Sequence, residues 1–234
     1  MGDQDDAKRA AGERAIAEYL ADGLRVGLGS GTTSHWFVRS LAQPVRDGLD
    51  IVGVVTSTST LDVATEVGVR VADLNEVPEL DITIDGADEI DPSGNMIKGG
   101  GAALLWEKIV ATASKKMIAV VDDSKVVEKL GKFPLPIEVV PFGWRSTERH
   151  LRAVFAEFGY SDVRLEIRLK DGEYLRTDSG HYILDAYLEE IADPPALAAR
   201  LNPIPGVVEH GLFIGIAAAT VIGHPDGTSE IREF

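Results

Sequence analysis

Lys98 begins the segment with the clearest potential for chemistry. Three glycines follow it, Gly99, Gly100 and Gly101, and they leave the loop open to a substrate. An apolar segment with one carboxylate, Glu107, comes next, and a helix over residues 102–113 would place Glu107 on a face with Ala103, Leu104, Val110 and Ala111. Loss of water there raises a carboxylate pKa, as a general base near neutral pH requires. The ordinary alternative is a glutamate at the solvent edge of a buried helix. The Lys98 cation could stabilise an enolate-type oxyanion.

A second candidate site lies in residues 27–34, which read Gly-Leu-Gly-Ser-Gly-Thr-Thr-Ser. Glycines allow a tight turn, and the amides of a helix N-terminus bind anions. The hydroxyls of Thr32 and Thr33 add further donors. The ending typical of a Walker A loop is absent, and hydroxyls follow the next strand where a dinucleotide fold would place an acidic residue. A monophosphate therefore fits best, and a plain tight turn is the alternative.

Polar residues also follow three further predicted strands. Residues 56–60 carry five hydroxyls, which are either helix caps or contacts to a sugar or phosphate. A cluster of carboxylates follows the next strand and begins with the residues Asp85, Gly86, Ala87 and Asp88. Its carboxylates could bind a divalent metal, bind sugar hydroxyls or transfer protons. The spacing is not that of an EF-hand. Lys125 lies just beyond another strand, where it either contacts phosphate or is an ordinary solvated lysine.

Composition excludes several classes of protein. The chain has 234 residues, of which 44% are hydrophobic, so it can bury a core. Its net charge of −15 argues against nucleic-acid binding. The absence of cysteine excludes disulfides and thiolate metal sites and is compatible with a reducing cytoplasm. We expect no signal peptide and no membrane span. The acidity indicates either adaptation to high salt or an ordinary acidic enzyme, and a stability curve against salt would distinguish them.

The order of predicted elements indicates an α/β protein. Helices and strands alternate up to residue 121, which predicts an open, mostly parallel, Rossmann-like sheet with helices on both faces. Strands are predicted over residues 24–28, 51–55, 80–84 and 117–121, and helices over residues 5–20, 34–41 and 61–67. Proline-rich joints at residues 131–136 and 202–206 delimit a smaller α+β domain, with a helix over 147–158, strands over 163–169, 174–177 and 182–188, and a helix over 195–201. We therefore predict a catalytic domain of residues 1–130 with 206–234, and an inserted domain of residues 131–205. The apolar tail, 207–223, would rejoin the first sheet.

Taken together, these motifs resemble the A type of ribose-5-phosphate isomerase. The matching patterns are Gly-x-Gly-Ser-Gly-Thr-Thr at 27–33, Thr-Ser-x-x-Thr at 56–60, Asp-Gly-Ala-Asp-Glu at 85–89 and Lys-Gly-Gly-Gly-Ala-Ala-Leu-x-x-Glu-Lys at 98–108. Residues 205–213 and 223–227 also resemble that family. The resemblance covers nearly the whole chain. It implies a metal-free, cofactor-free aldose–ketose isomerase of the non-oxidative pentose phosphate pathway, cytoplasmic and forming homodimers or homotetramers. We expect the subunit contacts to lie in the smaller domain.

The resemblance also implies roles for individual residues. Glu107 falls on the general base, which moves a proton between C1 and C2 through a cis-enediolate. Asp85 falls on the carboxylate associated with ring opening, and Asp88 on its partner in holding substrate hydroxyls. Lys98 matches the lysine near the oxyanion. The remaining substrate contacts match Ser30, Gly31, Thr32, Thr33, Gly86, Ala87, Gly99, Gly100, Gly101 and Lys125. Leu105 and Trp106 stand where many relatives carry a polar pair, and we expect no change in chemistry from them.

Two other functions compete with this one. A phosphosugar-binding sensor without catalysis could use the same fold, but no helix-turn-helix segment precedes the sheet and the charge is strongly negative. An acyl-CoA transferase could use Glu107 as a nucleophile, but the sequence shows no basic pocket for CoA.

Overall fold

The computed structural model describes residues 3–234, which divide into two compact units. The first unit comprises the chain up to Ala87, Trp106–Val126 and Gly215–Phe234, and the second comprises Asp88–Leu105 and Val127–Ile214. The α-helices are α1 (Asp3–Tyr19), α2 (Gly31–Ser40), α3 (Ala42–Arg46), α4 (Thr58–Val67), α5 (Leu104–Thr112), α6 (Trp144–Glu157) and α7 (Pro194–Leu201). The strands are β1 (Arg25–Leu28), β2 (Val52–Val55), β3 (Arg70–Val71), β4 (Ile82–Asp85), β5 (Glu89–Ile90), β6 (Met96–Ile97), β7 (Met117–Asp122), β8 (Leu135–Val139), β9 (Arg164–Ile167), β10 (Leu169–Lys170), β11 (Glu173–Tyr174), β12 (Tyr182–Tyr187), β13 (Val207–His210), β14 (Leu212–Phe213), β15 (Ala217–Gly223) and β16 (Ser229–Glu233).

The first unit is built on a seven-stranded sheet. Its strand order is β16-β15-β7-β4-β1-β2-β3, and all neighbouring pairs are parallel except β15 with β16. The strands in its middle are short apolar runs, as expected for strands covered on both faces. In β7, for example, every residue is buried. The prediction of an open, mostly parallel sheet is therefore confirmed.

Helices cover both faces of this sheet. On one face, apolar residues of α1, α2 and α4, among them Ala11, Phe37 and Ala64, share one core with the strands. On the other face, Val110 of α5 packs with residues of β2 and the segment before β4. A Cβ at Gly27 would lie 2.6 Å from Val110 Cγ1, so the absence of a side chain at Gly27 allows α5 to approach β1 closely.

The second unit contains three antiparallel sheets and two helices. The larger four-stranded sheet has the order β13-β8-β12-β9, a three-stranded sheet has the order β14-β6-β5, and β10 and β11 form a two-stranded sheet. Phe155 of α6 and Leu197 of α7 belong to the core that includes the larger sheet. An Asp-Gly hairpin turn, Asp171 (φ 54°) and Gly172 (φ 84°), connects β10 to β11.

The two units divide the chain at residues other than the predicted joints. Residues 88–105 and 206–214 belong to the second unit, because β6 pairs with β5 and β14, and β13 pairs with β8. Within the predicted tail, 207–223, β15 joins the first sheet, whereas β13 and β14 pair with strands of the second unit. The first joint is also shorter than predicted, since Pro136 lies within β8, where its carbonyl accepts a hydrogen bond from Gly211. None of the helices in residues 3–234 is long and apolar enough to cross a membrane.

Candidate active site

Asp85 is the most constrained of the predicted site residues. It ends β4, at the carboxyl edge of the parallel sheet where ligands bind in open α/β folds, and its side chain is fully buried. Its Oδ1 accepts hydrogen bonds from Ser30 N (3.0 Å), Ser34 Oγ (3.0 Å) and Gly86 N (2.7 Å). These donors fix the orientation of the carboxylate. A Cβ at Gly29 would lie 2.0 Å from Oδ1, so only glycine fits beside it.

The start of α2 presents the predicted anion-binding surface. Gly31 (φ 88°) and Thr32 are exposed, whereas Thr33 is buried. These three residues form the first turn of α2, whose amides have no carbonyl partner within the helix. The first turn contains no acidic residue, so its field favours an anion. The helix predicted over residues 34–41 therefore begins three residues earlier, at Gly31.

The hydroxyl-rich segment serves the local structure. Ser57 caps α4, and its Oγ accepts a hydrogen bond from Thr60 N at 3.1 Å, as the capping interpretation predicts. Ser30 Oγ bonds Thr56 Oγ1 at 2.6 Å and Thr60 Oγ1 at 3.2 Å. This network ties the loop after β1 to the loop after β2. Nearby, burial and the charge of Arg39 lower the pKa of His35, so this ring is neutral at pH 7.

Glu107 lies in the first turn of α5, and only 5% of its surface is exposed. Its burial on this helix agrees with the predicted face, while the expected rise of its pKa stays a prediction. Trp106 and Ile109 lie off that face and line a mostly apolar cleft of about 580 Å³ with residues of β2, α4 and the segment after β3. The lining of this cleft contains none of the predicted site residues.

Lys125 lies at the same edge of the parallel sheet as Asp85. It ends a short 3₁₀ turn, Asp123–Lys125, directly after β7, which pairs with β4. Asp122 caps this turn by accepting from the backbone and hydroxyl of Ser124. Lys125 is half-buried and has no ion-pair partner among residues 3–234, so its charge is available to a ligand.

In the second unit, Asp88 lies against residues 99–101, which we call the glycine loop. Asp88 Oδ2 accepts a hydrogen bond from Gly100 N at 2.8 Å, and a Cβ at Gly100 would lie 2.6 Å from Asp88 Oδ1. The loop turns back on itself where Ala102 N donates to Gly99 O. Gly99 (φ 106°) has the left-handed conformation that favours glycine, and Ala102 (φ 61°) adopts it despite its side chain. Such strain is typical of functional loops.

Lys98 is 2% exposed, which is unusual for a lysine. Its backbone N donates to Gly211 O at 2.9 Å, and its Nζ lies 5.4 Å from the ring centroid of Phe213. The aromatic face stabilises the buried ammonium group. Lys98 follows β6 in the three-stranded antiparallel sheet and not a strand of the parallel sheet. Strands of two residues, such as β5 and β6, are too short to show a periodic pattern.

Several residues that support the site were not among the predicted ones. Ser34 donates to Asp85 and accepts from Gly86 N at 2.8 Å. Ser34 is the last residue of the glycine motif at 27–34, so that motif could have indicated it. Arg168 and Asp185, which hold the glycine loop, have no motif around them. Within residues 3–234, no group of three or more His, Asp or Glu side chains could hold a metal ion.

The open, mostly parallel sheet of the first unit, with a buried carboxylate and a helix N-terminus at its carboxyl edge, is typical of α/β enzymes that act on small phosphorylated ligands. The chain belongs to the ribose 5-phosphate isomerase A (phosphoriboisomerase A) family, whose model matches residues 52–227. It is 52% identical over 230 residues to ribose-5-phosphate isomerase A 2 of Yersinia pseudotuberculosis, covering 98% of both chains.

Solved structures agree with this assignment. The fold is similar to that of ribose 5-phosphate isomerase from Plasmodium falciparum, with a TM-score of 0.93, 32% identity, and coverage of 98% of this chain and 99% of that one. It is also similar to a D-ribose-5-phosphate isomerase in complex with phospho-erythronic acid, with a TM-score of 0.89, 35% identity and coverage of 99% of each chain.

Proposed function

We propose that this protein interconverts D-ribose 5-phosphate and D-ribulose 5-phosphate. The reaction opens the sugar ring, removes the proton from C2 to give a cis-enediolate, and returns a proton to C1. C2 is oxidised to the ketone while C1 is reduced from aldehyde to alcohol, so no external oxidant or reductant is needed. One base that reaches both carbons is sufficient for the proton transfer.

Glu107 is the proposed base. The observation that carries this proposal is its burial in the first turn of α5, because a carboxylate shielded from water is a stronger base than one in solvent. Asp85 is proposed to assist ring opening, for which its fixed orientation is suited. Lys98 is proposed to stabilise the enediolate oxygen, since its charge is nearly removed from water.

The remaining predicted residues are proposed to bind the substrate. Asp88 would hold sugar hydroxyls, and the amides of the glycine loop would contact the substrate backbone. The start of α2 and Lys125 offer an oriented set of amides and a cation, and the phosphate is the group of the substrate that such donors bind. The residues in this proposed set are Ser30, Gly31, Thr32, Thr33, Gly86, Ala87, Asp88, Gly99, Gly100, Gly101 and Lys125.

The proposal is tested by following ribose 5-phosphate by NMR in deuterated buffer with a chelator. We expect ketose to form and solvent deuterium to enter the sugar carbon that exchanges its proton with the base. Binding without conversion would instead support a sensor. Conversion that stops when the chelator is added and resumes with a divalent metal would contradict a mechanism based on Glu107 and Lys98 alone.

We also propose that the protein forms a homodimer or homotetramer through its second unit. That unit exposes Phe142 (93%), Leu169 (54%) and Tyr174 (43%), and Tyr174 packs edge-on against Trp144 and Tyr182. Exposed aromatic groups of this kind are typical of contact surfaces. Light scattering should show that Phe142→Glu lowers the mass of the assembly, whereas Leu61→Glu in the first unit should not. An unchanged mass for Phe142→Glu would contradict this contact surface.

The proposed location is the cytoplasm, because an ionised sugar phosphate is retained by membranes. Cell fractionation with activity measured in each fraction would test it. Activity confined to a periplasmic or secreted fraction would contradict it.

A further inference from the structure

Arg168 makes an unusual set of contacts in the second unit. Its Nη1 donates to Gly99 O at 2.8 Å and to Gly100 O at 3.0 Å. Its Nε and Nη2 donate to the two carboxylate oxygens of Asp185, at 2.8 and 2.5 Å. The guanidinium group therefore joins a carboxylate on β12 to two carbonyls of the glycine loop.

The same peptide group is held at both ends. The carbonyl of Gly99 and the amide of Gly100 belong to one peptide unit. Arg168 binds the carbonyl, and Asp88 Oδ2 accepts from the amide at 2.8 Å. Because a peptide group is planar, fixing its carbonyl also fixes the direction of its N–H. Arg168 thus helps to determine where the Asp88 carboxylate can lie.

Arg168 is itself firmly positioned. Its backbone N donates to Ile183 O at 2.8 Å, and its side chain is 15% exposed, while that of Asp185 is 11% exposed. A bidentate arginine–carboxylate pair has a defined geometry that a single ammonium group cannot reproduce. The loop needs such support, since it combines three glycines with a strained residue, Ala102.

We propose that Arg168 is a positioning residue for the isomerase reaction, with Asp185 acting through it. Arg168 orients the Gly99–Gly100 peptide so that Asp88 and the loop amides are arranged for substrate before it binds. This role rests on the proposed function, because the loop is a substrate loop only if that function is correct. Arg168 does not take part in proton transfer, so its loss should affect binding more than turnover.

The main test uses Arg168→Lys with Arg152→Lys as a matched control. Arg152 also bonds a carboxylate with two nitrogens, Glu148 at 3.1 and 2.8 Å, and a carbonyl, Val163 O at 2.7 Å, but these lie on α6 and before β9. For Arg168→Lys we expect the KM for ribose 5-phosphate and the Kd for phospho-erythronic acid to rise together by about tenfold, as the loss of charge-assisted hydrogen bonds implies, with kcat falling less than about threefold. Arg152→Lys should change neither. KM and Kd unchanged in Arg168→Lys would overturn the proposal.

Two further measurements separate positioning from general stability. The amide of Gly100 should exchange with solvent at least about tenfold faster in Arg168→Lys than in the wild type, because its partner is no longer aligned, and Arg152→Lys should leave it unchanged. In Arg168→Ala, added guanidinium ion should restore part of the binding. Unchanged Gly100 exchange, or an equal change in both lysine variants, would overturn the proposal.

Asp185→Asn provides a test of the order of action. If Asp185 acts only through Arg168, the double variant Asp185→Asn with Arg168→Lys should have the same Kd for phospho-erythronic acid as Arg168→Lys alone. Losses of binding that add fully in the double variant would overturn the proposal that Asp185 acts through Arg168. A wild-type protein that fails to convert ribose 5-phosphate would defeat the proposed function, whereas the Gly100 exchange rates would still decide whether Arg168 orders the loop.

Discussion

The close contact between Gly29 and Asp85 makes a sharp prediction for Gly29→Ala. The added Cβ would lie 2.0 Å from Asp85 Oδ1 and 2.5 Å from Asp85 Cα. Carbon atoms in contact sit about 3.5 Å apart or more, so Asp85 or the loop must retreat by about 1 Å. A 1 Å displacement of a catalytic group costs about a hundredfold in rate, and overpacking costs about 1–3 kcal/mol of stability. We therefore expect kcat/KM to fall about a hundredfold.

Gly53→Ala is the matched control for this experiment. Its Cβ would lie 2.6 Å from Leu28 Cδ1, the mobile end of a side chain in the same sheet, and no predicted site residue lies against it. Gly53→Ala should lose less stability than Gly29→Ala in urea denaturation, because a side-chain end can move aside, and only Gly29→Ala should lose activity in an isomerase assay on folded protein. A folded Gly29→Ala with wild-type kcat/KM would refute the argument that Asp85 must keep its position.

Two further predictions concern the pH dependence of stability. Hydrogen bonds from Arg25 and Lys115 hold the pKa of Asp81 well below its usual range, so its contribution is present above the unfolded pKa and is lost as pH falls through the folded pKa. Asp81→Asn should cost about 2 kcal/mol at pH 7, and urea denaturation should show this cost shrinking towards about pH 2; a cost independent of pH would contradict the assignment. Burial raises the pKa of Glu138, so its contribution is present below the unfolded pKa and is lost as pH rises through the folded pKa. The stability of Glu138→Gln relative to wild type should therefore increase from about pH 4 to pH 8, and a decrease over that range would contradict the raised pKa.

The parallel sheet could be predicted from the sequence because its signals are local. Apolar runs such as those of β1 and β7 end at glycine, hydroxyl or carboxylate residues, and parallel strands bring these ends to one edge. The positions of Ser30 and Asp85 follow directly. The burial of Glu107 also followed from helical periodicity, since three- and four-residue spacings define one face.

The second unit could not be predicted in the same way. Its small sheet joins β5 and β6 to β14, which lies more than a hundred residues later in the chain, and two-residue strands carry no periodic signal. Pro136 suggested a joint, because proline lacks the N–H that a strand interior usually needs. The contact of Arg168 with the glycine loop depends on the register of β9 and β12, which no local pattern specifies.

If Glu107 is the base, kcat should be the parameter that Glu107→Gln changes most. The control is Glu66→Gln, which makes the same change at an exposed glutamate on α4. We predict that Glu107→Gln lowers kcat by at least about a hundredfold, abolishes uptake of solvent deuterium into the sugar, and leaves the Kd for phospho-erythronic acid largely unchanged, while Glu66→Gln behaves as wild type. Turnover and deuterium uptake close to wild type in a folded Glu107→Gln protein would show that Glu107 is not the base.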